Sequence, residues 1–277
     1  MLVRLDGAMG IEAVVGVTLA SADPAASAEA YRILADSVAE AAHWSAEADG
    51  VSGTRVAGLD VDIVAAQGGP PPGVLAVHLG VSGLLETTRL LQRRATPFVD
   101  ADLIELAGLR WRLVDLAETS FDPGTSDRAD TGDARLDPPP DEDEEEGGPA
   151  DLDLIGLDHV VVATDDADRA AASYGARLGL DLRLDRSAPQ WGMRGLFFRC
   201  GDAVIEVVAP VERPERPDTR DAFGGLAWRS ADLEATRARL TASDVEVSPI
   251  RTGRKSGTRV MTVRDERLIT PSLVIGS

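Results

Sequence analysis

The chain has three histidines, His43, His78 and His159. His159 stands in LDHVVVATDD, residues 157–166, at the mouth of an apolar strand that is left through two aspartates. An imidazole there suits three tasks: metal ligand, proton-transfer base, or structural side chain with no chemistry. His78, in GVLAVHLGV, reads as a partly buried structural residue, and His43 follows a long helix and reads as a surface residue. The single cysteine, Cys200, lies between Arg199 and Gly201 and reads as a small core residue rather than a nucleophile. A basic run, SPIRTGRKSGTRV, places Arg251, Arg254, Lys255 and Arg259 in an otherwise acidic protein. Such a run can grip a carboxylate or phosphate through forked arginine contacts. Its plainer reading is a solvated hairpin balanced by nearby acids. Trp191 and Met193, in SAPQWGMRG, suit an apolar lid, although core packing is the commoner use of such residues. The sequence has no GxGxxG after a strand, no P-loop, no GxSxG, no HExxH and no paired CxxC.

The elements that must position these residues repeat. VVGVTLASADPAASAEAY (14–31) aligns without a gap on LDHVVVATDDADRAAASY (157–174). Each is an apolar strand, a small-residue exit, an aspartate (Asp23, Asp166) and a helix reaching a tyrosine (Tyr31, Tyr174). The aspartate predicts an N-cap, because its carboxylate accepts from the first free N–H groups of the helix. Further on, VDIVAA (61–66) aligns on IEVVAP (205–210) and sets Asp62 opposite Glu206. GGLAWRSADLEATRARL (224–240) and GVLAVHLGVSGLLETTRLL (73–91) are looser copies, with Asp232 in one and Gly83 in the other where the aspartate stands. Alternating runs such as RGLFFRC, AVIEVVA, TRVMTVRD and LITPSLVIG then read as antiparallel strands, with turns at Gly201-Asp202 and Asp265-Glu266. The predicted unit is a strand, a helix and about three strands, used four times. Its helix covers one sheet face, and a second unit must cover the other. The fold class is therefore α+β.

Composition sets the outer bounds. At 277 residues there is room for two domains, and 44% hydrophobic residues supply their cores. The formal net charge of −19 argues against nucleic acid or an anionic membrane as partner. One cysteine permits no internal disulfide, in keeping with a cytoplasmic protein. No apolar run reaches about 18 residues, so no membrane span is expected. The N-terminal stretch carries Asp6 and Glu12 without a preceding basic region, so no signal peptide is expected either. Residues 121–153 hold thirteen acids against two arginines, with three consecutive prolines. Such a segment buries too little surface to offset its ordering entropy. The expected organisation is a module pair over 1–119, an acidic, Pro-rich, disordered linker over 120–152, and a second module pair over 153–277. The linker reads as a spacer, with an interaction tail as its alternative.

The unit that opens with LDHVVVATDD and closes with AVIEVV resembles the vicinal oxygen chelate superfamily. That superfamily includes glyoxalase I, bleomycin-resistance proteins, extradiol dioxygenases and methylmalonyl-CoA epimerase. The resemblance is clearest over 153–277 and weaker over 10–118. It implies four βαβββ modules that pair into two open-barrel cups, with metal ligands on the first and last strands of each module. Carried over residue by residue, His159 and Glu206 fall on ligand positions of the third module. An imidazole and a carboxylate on neighbouring strands suit one divalent ion such as Zn, Mn, Ni or Fe. In the fourth module the corresponding positions fall on Gly225 and Ser272, so the site is incomplete and an ion would be weakly held. In the first pair they fall on Gly16, Asp62, Ala76 and Arg112. His78 lies two residues beyond Ala76 on the same strand face. A shifted Asp62–His78 ligand pair is weighed there against a plain scaffold, and the scaffold reading is preferred.

Three roles for His159 stay open at this point: an inherited residue without chemistry, a weak metal ligand with Glu206, or a metal-free acid/base pair with Glu206. The last suits proton abstraction beside a carbonyl. The expected function is binding of a small, anionic molecule in the C-terminal cup, with Trp191, Arg229, Arg254 and Arg259 as its contacts. The alternative is a divalent-metal-dependent isomerase, lyase or epimerase with His159 and Glu206 as catalytic residues. A monomer of two module pairs and a homodimer both fit the sequence.

Overall fold

The computed structural model describes residues 10–35, 51–66, 71–119 and 153–277; His43 and the acidic segment 120–152 lie outside the described residues. The first half contains β1 (Ile11–Ser21), α1 (Pro24–Ala35), β2 (Val51–Val56), β3 (Leu59–Ala65), β4 (Gly73–Val81), α2 (Leu84–Arg93), β5 (Leu103–Leu106) and β6 (Leu109–Asp115). The second half begins with β7 (Leu154–Ala163) and α3 (Ala167–Ala170), which runs on as a π-helix over Ala171–Arg177. Then come β8 (Asp181–Ala188), β9 (Met193–Cys200), β10 (Ala203–Pro210), β11 (Ala222–Ser230), α4 (Leu233–Ala242), β12 (Arg251–Thr252), β13 (Arg259–Val263) and β14 (Ser272–Gly276).

These strands form a sheet of order β2-β3-β1-β4-β6-β5 and a sheet of order β12-β13-β14-β11-β7-β10-β9-β8. The repeat is visible in the pairing. In every module the first strand runs parallel to the last: β1 with β3, β4 with β6, β7 with β10, β11 with β14. The two modules of each half meet through antiparallel first strands, β1 with β4 and β7 with β11. The predicted caps form. Asp166 accepts from the Arg169 N–H at 3.0 Å, Asp232 from Ala235 at 2.9 Å, and Asp23 from Ala26 at 3.1 Å. In the second module, where Gly83 replaces the aspartate, Asp115 at the end of β6 supplies the acceptor for the Leu84 N–H at 3.2 Å.

The alternation of β10 buries Ala203, Ile205, Val207 and Ala209 and leaves Val204, Glu206 and Val208 on the other face. The buried set joins the helices in one hydrophobic cluster that runs through both halves. Trp111 of β6 meets Tyr174 edge-on at 5.5 Å and Phe223 of β11 at 5.4 Å, and Tyr174 continues to Phe198 of β9. The Tyr31 hydroxyl donates to the Leu268 carbonyl at 2.7 Å. Arg239 of α4 donates to the carbonyls of Ile33 and Leu34 while its guanidinium grips Asp153. The two module pairs thus pack on each other within one chain. Cys200 is buried, as its sequence context suggests, and burial pushes its thiol up to about 12. Among the described residues no helix is long and apolar enough to cross a membrane.

Candidate functional site

His159 and Glu206 are brought together in the second half. Val204 pairs with His159 across β10 and β7, and Glu206 pairs with Val161, so both side chains rise from the face opposite the helices. His159 Nε2 lies 3.2 Å from Glu206 Oε2. Both side chains are largely shielded, at 15% and 17% exposure. A third residue joins them. His159 Nδ1 lies 2.8 Å from Asp158 Oδ2. Neighbours on a regular strand point to opposite faces, which hid Asp158 from the sequence reading. Here Leu157 pairs with Trp228 and His159 with Ala227, so Asp158 is the extra residue of a β-bulge. Bulges re-aim a side chain in this way. Burial raises the Asp158 carboxyl, but the hydrogen bond to His159 and the charges of His159, Arg229 and Lys255 outweigh it and hold the group below its ordinary value.

The strand pairing also defines the remaining ligand positions. Val161, two residues after His159, lies beside Glu206. The counterpart of His159 is Gly225, and two residues after it Ala227 lies beside Leu273. The carboxylate position of the fourth module is therefore Leu273 and not Ser272. Ser272 pairs with Leu226 and is 2% exposed, with its hydroxyl donating to the Thr270 carbonyl. At Gly225 a side chain is blocked as well as missing. Its φ is +150°, and a Cβ there would lie 2.6 Å from the Pro271 carbonyl oxygen. Side chains are excluded from such a backbone conformation. Among the described residues no group of three or more His, Cys, Asp or Glu is placed to hold a metal ion. His159 and Glu206 offer two donors, and Gly225 and Leu273 offer none, so these residues do not make up a family-type metal centre.

The proposed ligand contacts separate into two groups. Trp191, 52% exposed, carries the Arg254 guanidinium over its ring at 5.4 Å. Trp191 follows β8 and Arg254 follows β12, which are opposite edges of the eight-stranded sheet. Their contact shows that this sheet curls until its edges meet. Arg229 pairs with Gly156 beside the bulge and donates to the Asp202 carbonyl at 2.8 Å. Gly156 makes room for it, since a Cβ would lie 2.8 Å from Arg229 Nη2. Arg259 is turned away. It pairs with Glu234 of α4, on the helix-bearing face.

The first half presents a different set at the matching positions. Thr18 pairs with Asp62, and His78 with Arg112. His78 is 7% exposed, shares a hydrogen bond of 2.7 Å with the Thr18 hydroxyl, and occupies the space above Gly16. Burial and the Arg112 charge lower its pKa to about 4, so it is neutral near pH 7. Burial and Asp60, opposed by Arg112, raise Asp62 to about 6, and Asp62 Oδ1 is buried without a hydrogen-bond partner among the described residues. A carboxyl raised on folding adds stability that is complete below its unfolded value and is lost as pH rises through the folded value. Asp62→Asn is therefore expected to stabilise the protein by about 1–2 kcal/mol at pH 7.5, after discounting for partial exposure. The gain should vanish at pH 4, and urea denaturation at the two pH values measures it.

Comparisons with known proteins place this geometry. Residues 158–262 match the family model described as the Glyoxalase/Bleomycin resistance protein/Dioxygenase superfamily. No curated protein matches the chain. Among solved structures, a 4-hydroxymandelate synthase mutant from Streptomyces coelicolor aligns over 97% of this chain and 93% of its own, with 12% identity and a TM-score of 0.67. BphC, a halotolerant catechol dioxygenase, aligns over 97% and 87%, with 12% identity and a TM-score of 0.65. Methylmalonyl-CoA epimerase from Mycobacterium tuberculosis aligns over 47% and 93%, with 23% identity and a TM-score of 0.39. Residues 158–262 thus match that superfamily's model, and the chain as a whole shares the fold of the two longer structures.

Proposed function

We propose that the C-terminal cup binds a small anionic molecule without a family-type metal centre, and that Asp158, His159 and Glu206 move a proton on it. The observation that carries this reading is the His159 ring held between two carboxylates, 2.8 Å from Asp158 and 3.2 Å from Glu206. With Nδ1–H donating to Asp158, Nε2 turns its lone pair towards Glu206. One proton is then shared between Nε2 and Oε2. Such a pair takes a proton from a carbon beside a carbonyl, or returns one, at a cost set by hydrogen-bond reach. Arg229 and Lys255, whose charges reach Asp158, favour an anionic ligand at this end of the cup.

A metal-dependent isomerase, lyase or epimerase is the second reading, and the short His159–Glu206 contact is what favours it. Its ion, Zn, Mn, Ni or Fe, would find two protein donors there and no third. Metal content separates the readings. After soaking with each ion, wild type is expected to hold far less than one ion per chain. His159→Ala and Glu206→Ala should not change that value. Exchange of solvent deuterium into hemithioacetals and acyl-CoA thioesters should fall about 10²–10⁴-fold in both variants. Stoichiometric metal lost in both variants would replace the first reading with the second.

A further inference from the structure

Opposite edges of the eight-stranded sheet touch where the Arg254 guanidinium lies over the Trp191 ring, at 5.4 Å. We propose that this stack is a latch: closed, it shields Asp158, His159 and Glu206, and its opening admits molecules to the C-terminal cup. As a gate for a ligand it rests on the reading of this cup as the binding site, but its test reads only the exposure of His159.

Strand register carries the stack across the cup. Trp191 precedes β9, whose first residue, Met193, pairs with Pro210 at the far end of β10. Arg254 precedes β13, whose first residue, Arg259, pairs with Gly276. The neighbouring Ile275 lies level with Arg229 and Gly156, near the start of β7. The two residues thus come from opposite ends as well as opposite edges of the sheet, and their contact bridges the cup from corner to corner. His159 and Glu206 stand in mid-strand between those ends. The charge of Lys255, next to Arg254, reaches Asp158 and sets this hairpin beside the site.

Each side of the latch is braced within itself and buries little. In the Arg254 hairpin the Gly253 N–H donates to the Thr258 carbonyl at 2.8 Å, and the Thr258 hydroxyl donates to the Lys255 carbonyl at 2.6 Å. Arg251, Thr252, Arg254, Lys255, Ser256 and Gly257 are exposed. On the other side Gly192 takes a φ of +65°, and its N–H closes the turn on the Pro189 carbonyl at 3.0 Å. The edge strand β8 is exposed from Asp181 to Ser187. Segments with so few buried contacts open at little cost. An exposed cation–π contact shifts such an equilibrium by about two- to fivefold. The stack therefore favours the closed cup and still lets it open.

The test uses the full chain and diethyl pyrocarbonate, which acylates accessible imidazoles, with each histidine followed by mass spectrometry at one pH. Arg254→Ala and Trp191→Ala are each expected to speed modification of His159 by about two- to fivefold, and Trp191→Tyr to give a smaller rise. The first variant keeps the ring and the second keeps every charge, so a rise in both is neither lost cover nor a changed field at His159. His78, buried in the first half, reports unfolding and should keep its wild-type rate. Arg259→Ala, on the same hairpin but turned to Glu234, should leave His159 unchanged. An unchanged His159 rate, a rise confined to one of the two alanine variants, or an equal rise at His78 would each overturn the latch. Proton exchange that does not depend on His159, with the latch result intact, would remove the proton-transfer reading and leave the gate.

Discussion

Trp111→Ala is expected to lower the stability of the protein by about 3–5 kcal/mol, in the range for deleting a large buried aromatic side chain. The ring is fully buried and sits where the halves join. It makes edge-on contacts with Tyr174 at 5.5 Å and Phe223 at 5.4 Å, both in the second half. Each such contact adds about 0.5–1.5 kcal/mol to the area it buries. Alanine would leave a void that Tyr174, already packed on Phe198, has little freedom to fill. Trp111→Phe separates the two contributions. It keeps an aromatic edge and deletes an indole N–H that is buried without a partner among the described residues. It should therefore cost far less than alanine. Urea denaturation followed by circular dichroism measures both. A loss below about 1 kcal/mol for alanine would mean that the halves hold together through other contacts.

Asp221→Ala is expected to cost a similar 3–5 kcal/mol, for an electrostatic reason. Its carboxylate is fully buried, accepts from Arg169 at 2.6 Å and from the Tyr174 hydroxyl at 3.1 Å. The same residue ties the halves through its N–H, which donates to the Ala107 carbonyl at 2.7 Å. Removing the carboxylate strands the Arg169 guanidinium, whose Nη1 already lacks an acceptor among the described residues. The penalty then comes from the unpaired cation more than from the lost attraction. Adding Arg169→Leu to Asp221→Ala should recover a large part of the loss, and a double-mutant cycle reads the coupling directly. A double variant less stable than Asp221→Ala would show that Arg169 is held by Thr164 and not by Asp221.

How much of this was legible before folding depends on the range of each interaction. Strand and helix identity and the Asp23, Asp166 and Asp232 caps follow from short-range periodicity, and the structure contains them; the full unit with three strands after the helix stands in the third and fourth modules, whereas α2 of the second is followed by β5 and β6 alone. The nearness of His159 and Glu206 followed from the repeat and the family resemblance. What depended on register between strands was not legible. A single bulge at Asp158 completes the carboxylate–imidazole–carboxylate chain, and no local pattern marks a bulge. The same lateral pairing moves the fourth module's carboxylate position from Ser272 to Leu273, because a one-residue shift exchanges the two faces of a strand. Arg259 lay in the same basic run as Arg254, yet it reaches Glu234 on the helix side while Arg254 stacks on Trp191. The sequence by itself determined the units, their caps and the two residues that could share a site. Only the tertiary structure decided which face each side chain occupies, that Gly225 excludes a ligand, and that opposite edges of the second sheet meet, because each is set by contacts between segments far apart in the chain.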